Sequence, residues 1–438
     1  MESYLSMRHV GGLLLACGVL CIGGASPAVA APIDMNAPPP PSPAEAGYRA
    51  GLAALNKGDL NAAEGAFKES LRLAPKQAQS LLGLAQIALK KGQTTEAREY
   101  LQKALAASPK SAEVHTAWGR FLFSQKAFKE AEASFKKAVE LNPKTAVPHV
   151  DLGDLYLTGL HKAKEAGDAY RAAIALDPNH AGAHYALGNV LASSGKIDEA
   201  MAEFQEAGRL TPDNPLSFEA LGRVHVSRKE FDKALEAFAA ALKANPKFVQ
   251  ARLDRGDVLL AQGKDDKALE EYGEALKIAP QFAEAQVRIG MLHERGKRYA
   301  DAERAYLAAV DANPKHAIAY NNLAWMAAER KARLDEALAW ARKAVDLAPK
   351  FPGFQDTLGW VHRARGELDK AIPILEKAAA VKPEQAEIVY HLGVVYADKG
   401  KTHEAVKAFN KALDLKKDFV GAADARHRLA SLSPSPKR

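Results

Sequence analysis

The chain has 438 residues, of which 26% are charged and 47% are hydrophobic, and its formal net charge is +7. These proportions are ordinary for a soluble folded protein and exclude an intrinsically disordered one. Lysine and arginine are mixed with aspartate and glutamate, and there is no basic face interleaved with aromatic residues, so the sequence does not indicate nucleic-acid binding.

Residues 1–30 have the pattern of a secretory signal peptide. A basic pair at residues 8–9 precedes an apolar, glycine-rich run over residues 10–25. Ala28 and Ala30 are the small residues of a cleavage site after Ala30. The apolar run is short for a bilayer span, which needs about 20 apolar residues. We therefore predict an exported, periplasmic protein that does not span the membrane after signal cleavage.

The two cysteines, Cys17 and Cys21, both lie in this segment. Cleavage after Ala30 would leave a mature chain without a disulfide, a thiolate ligand or a cysteine nucleophile. The alternative is an outer-membrane lipoprotein anchored through Cys17, because residues 14–17 form a rough lipobox. Leu15 fits that pattern poorly, and the apolar run continues well past Cys17.

A proline recurs along the chain at intervals of 34 or 35 residues. The ten prolines are Pro75, Pro109, Pro143, Pro178, Pro212, Pro246, Pro280, Pro314, Pro349 and Pro383. Such regular helix breakers indicate a stack of identical two-helix repeats rather than a globular enzyme. Eleven repeats fill residues 44–419, after a proline-rich linker at 31–43. A C-terminal capping helix at 420–430 and a disordered tail at 431–438 are predicted to follow.

Further positions recur when each repeat is numbered so that its proline is the 32nd residue. The 20th residue is alanine in all eleven repeats, the eighth is glycine in nine, and the 24th is usually aromatic, as in Phe67 and Tyr272. Small side chains let two antiparallel helices approach to about 8 Å, and the aromatic ring fills the space that they leave open. Glycines such as Gly92 and Gly263 suit a left-handed cap where the first helix ends, and the proline stops the second helix.

This pattern of Leu-Gly, Ala, Phe/Tyr, Ala and Pro over 34 residues closely resembles the tetratricopeptide repeat. The resemblance covers nearly the whole chain after the linker. It implies an all-α fold, an α-solenoid of helix pairs stacked into a right-handed superhelix with a concave groove. Two single insertions predict longer turns at 159–164 and 330–333, and Pro373, early in a second helix, predicts a bend.

No constellation in the sequence indicates catalysis, a metal or a cofactor. The Gly-Lys-Thr at 400–402 has Val395 where a phosphate-binding loop needs glycine, and the His-Glu at 403–404 lacks a second zinc-spaced histidine. Three histidines share the eleventh position of their repeats: His225, His293 and His362. They lie two repeats apart, too far to share an ion whose ligands stand about 2 Å away. We predict packing roles for them and a non-catalytic protein.

The resemblance also implies where a partner binds. In this family the first helix of each repeat lines the groove, mainly through its second, fifth, ninth, twelfth and thirteenth positions. The ninth position is polar in the first half of the array and apolar or aromatic from Met291 onward. The candidate partner-binding residues are Met291, Asn321, Trp325, Asp356, Trp360 and Arg363, with Arg120, Asn189 and Arg223 in the polar half.

Trp325 and Trp360 are the most informative of these candidates. If exposed, two tryptophans about 10 Å apart, flanked by amides and a carboxylate, suit a binding hot spot. In the alternative, both pack against neighbouring helices and complete a local core. No repeat combines lysine at the fifth and asparagine at the ninth position, so the clamp that binds chaperone C termini in some family members is missing.

We therefore expect a non-catalytic scaffold of the bacterial cell envelope. It would bind other proteins or peptides during envelope assembly, secretion or exopolysaccharide export. The Asn-Asn-Leu-Ala-Trp and Asp-Thr-Leu-Gly-Trp segments are similar to those of bacterial exopolysaccharide-associated repeat proteins, although shared repeats do not establish shared function. Two alternatives are a glycan-binding module, with polysaccharide as the ligand, and an adaptor subunit of a sugar transferase whose catalytic chain is separate.

Overall fold

The computed structural model describes residues 41–432. The predicted signal peptide, most of the predicted linker and residues 433–438 lie outside this range. Over the described residues the chain forms α-helices, one π-helix and no strand. These residues divide into two compact units, the first ending at Ala107 and the second beginning at Ser108. The chain is therefore an all-α solenoid of helix hairpins.

The helices follow the predicted repeats closely. The first unit contains α1 Pro43–Asn56, α2 Leu60–Leu73, α3 Ala78–Lys90 and α4 Thr94–Ala107. The second unit contains α5 Ala112–Ser124, α6 Phe128–Leu141, α7 Val147–Asp154, α8 Ala163–Leu176, α9 Ala181–Ser193, α10 Ile197–Leu210, α11 Pro215–Ser227, α12 Phe231–Ala244, α13 Val249–Ala261, α14 Asp265–Ile278, α15 Ala283–Arg295, α16 Tyr299–Ala312, α17 Ala317–Glu329, α18 Leu334–Leu347, α19 Pro352–Ala364, α20 Leu368–Val381, α21 Ala386–Asp398, α22 Thr402–Leu415 and α23 Ala422–Leu432. A π-helix, Leu155–Gly159, directly follows α7.

The recurrent proline follows the end of ten of the eleven second helices, as predicted, and α22 ends at Leu415 with Lys417 in the place of the proline. Helix α14 ends at Ile278, and Pro280 follows two residues later. The intervening residue, Ala279, has a φ of −133° and a ψ of 85°, outside the helical region. This conformation follows from the steric clash between a proline ring and the residue before it. The turn then leads directly into the first helix of the next repeat.

Small residues and aromatic rings form the centre of each hairpin, which confirms the predicted packing. The alanine at the 20th position is fully buried in all eleven repeats. A Cβ atom added to Gly222 would lie 2.4 Å from Cε1 of Phe238, and one added to Gly256 would lie 2.3 Å from Cε1 of Tyr272. The eighth position must therefore be glycine wherever an aromatic ring occupies the 24th.

The first single-residue insertion does not lengthen a turn, so the prediction for 159–164 is wrong. Only residues 160–162 separate the π-helix from α8, as many as separate α9 from α10. The extra residue is instead absorbed in the first helix of the hairpin, where the N–H of Leu160 donates to the carbonyl of Leu155 at 2.9 Å. A π-turn accommodates one inserted residue without breaking the helix.

The second insertion does lengthen its turn, as predicted. Four residues, 330–333, separate α17 from α18, and Lys331 and Arg333 have φ values of 49° and 51°.

Helix α20 runs without interruption through Pro373. The loss of one N–H donor in its second turn therefore does not end that helix.

The predicted left-handed caps are confirmed at Gly92 and Gly263, whose φ values are 73° and 74°. Lysine occupies the same place in four hairpins of the second unit: Lys126, Lys229, Lys297 and Lys331, with φ values of 60°, 60°, 56° and 49°. A non-glycine residue in this region is strained by its Cβ atom.

Replacing Lys229 by glycine is expected to stabilise the protein by about 0.5–1 kcal/mol, because the relief of strain exceeds the greater freedom of the unfolded chain. The midpoint of chemical denaturation measures this gain. Lys407→Gly is the matched control, because Lys407 is an exposed lysine inside helix α22. That control should lose about 1 kcal/mol. A loss of stability in both variants would contradict the prediction.

Candidate functional site

First helices of consecutive repeats contact each other in the second unit. Helix α17 contacts α19, and α19 contacts α21. Residues three or four positions apart lie on one side of a helix, so the second, fifth, ninth, twelfth and thirteenth positions of each repeat share a side. We call the surface made by these positions in residues 108–432 the first-helix face.

A fixed spacing links neighbouring repeats across this face. The Nε of Arg120 donates to both carboxylate oxygens of Asp151, at 2.9 and 3.0 Å. The Nε of Arg288 donates to Asp257 at 2.6 Å. Each pair joins the ninth position of one repeat to the sixth position of the next, 31 residues later. The ninth-position residue therefore meets the sixth-position residue of the following repeat.

Two tryptophans and a histidine form an aromatic cluster on the face. The Trp325 and Trp360 rings are stacked, with centroids 5.8 Å apart and planes 16° apart. The His391 ring lies 4.5 Å from Trp360 and 5.3 Å from Trp325. Trp360 is 7% exposed, whereas Trp325 is half-buried. Trp360 is therefore packed, as in the second of the two alternatives given above. The two rings lie closer together than the expected 10 Å.

Polar groups surround this aromatic cluster. The Nε1 of Trp360 donates to Glu329 at 2.5 Å, and the guanidinium carbon of Arg363 lies 4.4 Å from the centroid of the Trp360 ring. Buried Asp356 lies 2.8 Å from Nδ1 of His391. The structure therefore brings four predicted residues together: Trp325, Asp356, Trp360 and Arg363.

His391 and Glu329 were not among the sequence candidates. Both are separated by 31 residues from Trp360, as Arg120 is from Asp151. His391 is at the sixth position of the repeat that follows Trp360, and Glu329 is at the thirteenth position of the repeat before it. Pairing the ninth position of each repeat with these two positions in the neighbouring repeats could have identified both residues.

The other predicted residues are not members of the cluster. Met291 is 50% exposed on α15, and Asn321 on α17 has a buried Oδ1 atom without a hydrogen-bond donor. Arg120, Asn189 and Arg223 are exposed on three further first helices. Partner binding at any of these residues stays a prediction.

A buried carboxyl pair lies beneath Arg223. Glu219 is 7% exposed and accepts a hydrogen bond of 3.2 Å from Nη1 of Arg223. Burial, together with the nearby charge of Asp254, raises the pKa of Glu219 to about 7. Burial also raises the pKa of Asp254, which accepts a 2.8 Å hydrogen bond from Gln250. The pair therefore holds a proton under conditions in which exposed carboxyl groups are ionised.

Tyrosine at the 24th position reaches from the core to a carboxylate of its own first helix. The three tyrosine–carboxylate pairs in the second unit are Tyr170–Asp154 at 2.6 Å, Tyr272–Asp257 at 2.7 Å and Tyr306–Glu294 at 2.8 Å. Burial raises the pKa of each of these tyrosines. Repeats with phenylalanine there, such as that of Phe238, have no carboxylate at the ninth or twelfth position.

Two of the three eleventh-position histidines are bonded within their own repeats. The Nδ1 atoms of His225 and His362 lie 2.7 Å from Glu230 and Glu367, respectively. Arg298 occupies the corresponding place five residues after His293, whose buried Nδ1 atom has no hydrogen-bond partner. The predicted packing role therefore describes the two bonded histidines well.

One pocket, lined in part by Met326, Arg330 and Trp340, has a volume of about 20 Å³. This is room for about one water molecule. Within residues 41–432, no group of three His, Cys, Asp or Glu side chains is placed to hold a metal ion. None of the helices described there is both long and apolar enough to cross a bilayer.

Stacked two-helix repeats with glycine–aromatic contacts define the chain as a helical repeat protein. A family profile described as tetratricopeptide repeat matches residues 48–112, 82–146, 219–283, 287–352 and 357–418. A second profile of the same description matches residues 157–223. The chain belongs to the tetratricopeptide repeat family, and its repeats make it a scaffold for protein–protein interaction. No curated protein matches the sequence.

Several solved structures are similar to this chain. The Cut9–Hcn1 hetero-tetramer of APC/C is 14% identical and has a TM-score of 0.48, covering 89% of this chain and 96% of its own. Yeast Tom70 is 14% identical with a TM-score of 0.46, covering 89% and 95%. YrrB, a repeat protein with an unusual peptide-binding site, is 28% identical with a TM-score of 0.35, covering 42% and 95%.

Proposed function

We propose that this protein is an exported, non-catalytic scaffold of the bacterial cell envelope. It binds partner proteins on the first-helix face during envelope assembly, secretion or exopolysaccharide export. The observation that carries the proposal is the cluster of Trp325, Trp360, His391, Asp356 and Arg363. The signal-peptide pattern of residues 1–30 supports export.

The cluster has the composition of a binding hot spot. Tryptophan and arginine are the residue types that most often dominate the energy of a protein interface. Trp325 keeps part of its surface open, while stacking on Trp360 fixes its orientation. Arg363 is held between the Trp360 ring and Asp398, to which its Nε donates at 2.6 Å. A partner meets preordered side chains and loses little additional side-chain entropy on binding.

An affinity experiment with the envelope fraction tests the proposal. We expect Trp325→Ala/Arg363→Ala to reduce partner retention at least tenfold, because it removes the open aromatic surface and the cation beside it. The matched control is Trp340→Ala/Arg342→Ala, which removes the same residue types from the second helix α18. Thermal unfolding should show that both variants are folded.

The recovered material distinguishes the remaining alternatives. Retention of every partner protein by Trp325→Ala/Arg363→Ala would refute binding at the cluster. Recovery of polysaccharide without protein would favour the glycan-binding alternative. Trp360 is buried among Trp325, His391 and Arg363, so this indole offers no free face on which a sugar could stack. Co-purification of a sugar transferase would identify the adaptor alternative.

A further inference from the structure

Five side chains on two neighbouring helices form an acidic and apolar strip beside the aromatic cluster. Met291 and Glu294 lie three residues apart on α15, and Asn321, Trp325 and Glu329 follow each other at intervals of four on α17. Residues at these spacings share one side of a helix. We call these five residues the Met291–Trp325 strip.

The two carboxylates of the strip have no cationic partner among the described residues, although each accepts a hydrogen bond. Glu294 accepts from the hydroxyl of Tyr306 at 2.8 Å, and Glu329 accepts from Nε1 of Trp360 at 2.5 Å. The charge of Glu329 and the burial of Glu294 both act to raise the pKa of Glu294, burial more strongly. The two negative charges therefore repel each other across the strip.

Two other acidic groups on the first-helix face, Asp257 and Asp398, are paired with arginines. Asp257 pairs with Arg288 at 2.6 Å, and Asp398 pairs with Arg363 at 2.6 Å. Arg295, the cation next to Glu294 in sequence, is already paired with Asp265 on α14. Although the whole chain carries a net charge of +7, the strip presents an uncompensated negative charge.

Apolar surface adjoins these carboxylates. Met291 and Ile318 are 50% and 51% exposed, and the Trp325 ring is half-buried. A lysine or arginine side chain has a long apolar stem and a cationic head. The stem matches the methionine and isoleucine, the head matches the carboxylates, and a cation over the tryptophan ring gains a further electrostatic attraction.

We propose that the Met291–Trp325 strip binds a lysine or arginine side chain from an extended segment of the partner protein. This inference rests on the proposed function and adds the chemistry of the partner. An acidic segment is disfavoured because its charge would face Glu294 and Glu329, and like charges brought together at an interface oppose binding. A neutral apolar segment would leave both carboxylates without a cation.

The first test compares two labelled peptides that differ at one position. Each is a short extended peptide with leucines flanking a central residue, which is lysine in one and glutamate in the other. Fluorescence anisotropy with the full chain should show at least tenfold tighter binding of the lysine peptide, and the preference should weaken as salt is raised. Equal affinities, or no binding of the lysine peptide, would overturn the inference.

Variants locate this preference on the strip. Glu294→Gln/Glu329→Gln should reduce the lysine preference to about twofold or less, because neutral amides cannot pair with the cation. Glu236→Gln/Glu270→Gln removes the same charge from two exposed positions on second helices and should keep the full preference. A full preference in the first variant would overturn the assignment to the strip.

The same variants separate this inference from the proposed function. Partner proteins from the envelope fraction should be lost both by Trp325→Ala/Arg363→Ala and by Glu294→Gln/Glu329→Gln. If only the first variant loses them, the scaffold function stands and the basic-side-chain inference fails. If neither variant loses them, partner binding on this face fails as well.

Discussion

The Gly222→Ala variant is expected to lose about 2–3 kcal/mol of unfolding free energy. The added Cβ atom would lie 2.4 Å from Cε1 of Phe238, a fully buried ring. Neither the ring nor the helix backbone can move away without disturbing its neighbours, because protein interiors are close-packed. Alanine's better helix propensity, worth about 1 kcal/mol, offsets only part of this loss. Chemical denaturation measures the difference.

The chain itself contains the compensating change. In the two repeats that have alanine at the eighth position, Ala85 and Ala324, the 24th residue is Leu101 or Ala341 rather than an aromatic. Phe238→Leu should therefore be less costly, or even favourable, in the Gly222→Ala background. A double-mutant cycle measures this coupling, which contact between the two side chains requires. Additive effects of the two substitutions would contradict the packing argument.

Gly273→Ala is the matched control for this packing prediction. Gly273 lies inside the second helix α14, and nothing would come within 4 Å of an added Cβ atom. Alanine there should stabilise the protein by about 0.5–1 kcal/mol. A similar loss in the control and in Gly222→Ala would show that glycine itself, and not the contact with the ring, determines stability.

The second large effect concerns Glu219 and depends on pH. Its folded-state pKa of about 7 lies above the ordinary value of 4.5. Below pH 4.5 the group is protonated in both states and has no effect on stability. Between pH 4.5 and 7 the unfolded chain releases the proton and the folded chain keeps it, so stability falls as pH rises. Above pH 7 the folded state bears the full cost of the ionised buried group.

Glu219→Gln should therefore be more stable than the wild type by about 3 kcal/mol at pH 8, and the gain should shrink towards zero near pH 4. Denaturation midpoints measured across this range test the sign as well as the size. Glu206→Gln is the control, because the hydrogen bond from Arg209 lowers the pKa of this exposed carboxyl. The control should gain no stability at pH 8. A gain from Glu219→Gln that grows as pH falls would refute the assignment.

Most of the fold could be predicted from the sequence because each repeat places the same residue types in the same environment. The proline spacing located the ends of the second helices, and the glycine and alanine positions identified the helix contacts. The π-helix Leu155–Gly159 could not be foreseen. An inserted residue can enter a turn or a helix, and here Gly159 lies where an added Cβ would meet Phe123, Phe128 and Leu155 at 3.1–3.2 Å. Packing against the preceding hairpin, which contains Phe123 and Phe128, therefore bears on where the inserted residue is placed.

The candidate site was predictable by position but not by geometry. Alignment of the repeats with the family pattern placed Trp325 and Trp360 on the first helices of adjacent repeats. The structure confirms that the two side chains are neighbours. Their stacking at 5.8 Å depends on side-chain rotamers in two repeats at once. No pattern within a single repeat contains that information. His391 was missed for the same reason, because its role is visible only across 31 residues.

The hydrogen bonds from core tyrosines to the first-helix face also determine how such a chain can evolve. In the repeat of Tyr272, a change at Asp257 leaves a buried hydroxyl without its acceptor, so the two residues must change together. In the repeat of Phe204, the face residue Asn189 donates to the backbone carbonyl of Tyr185 and can change without consequence for the core ring. New partner specificities should therefore arise first through substitutions in the phenylalanine repeats. The tyrosine repeats should keep their face carboxylates, because the buried tyrosine hydroxyl needs the acceptor.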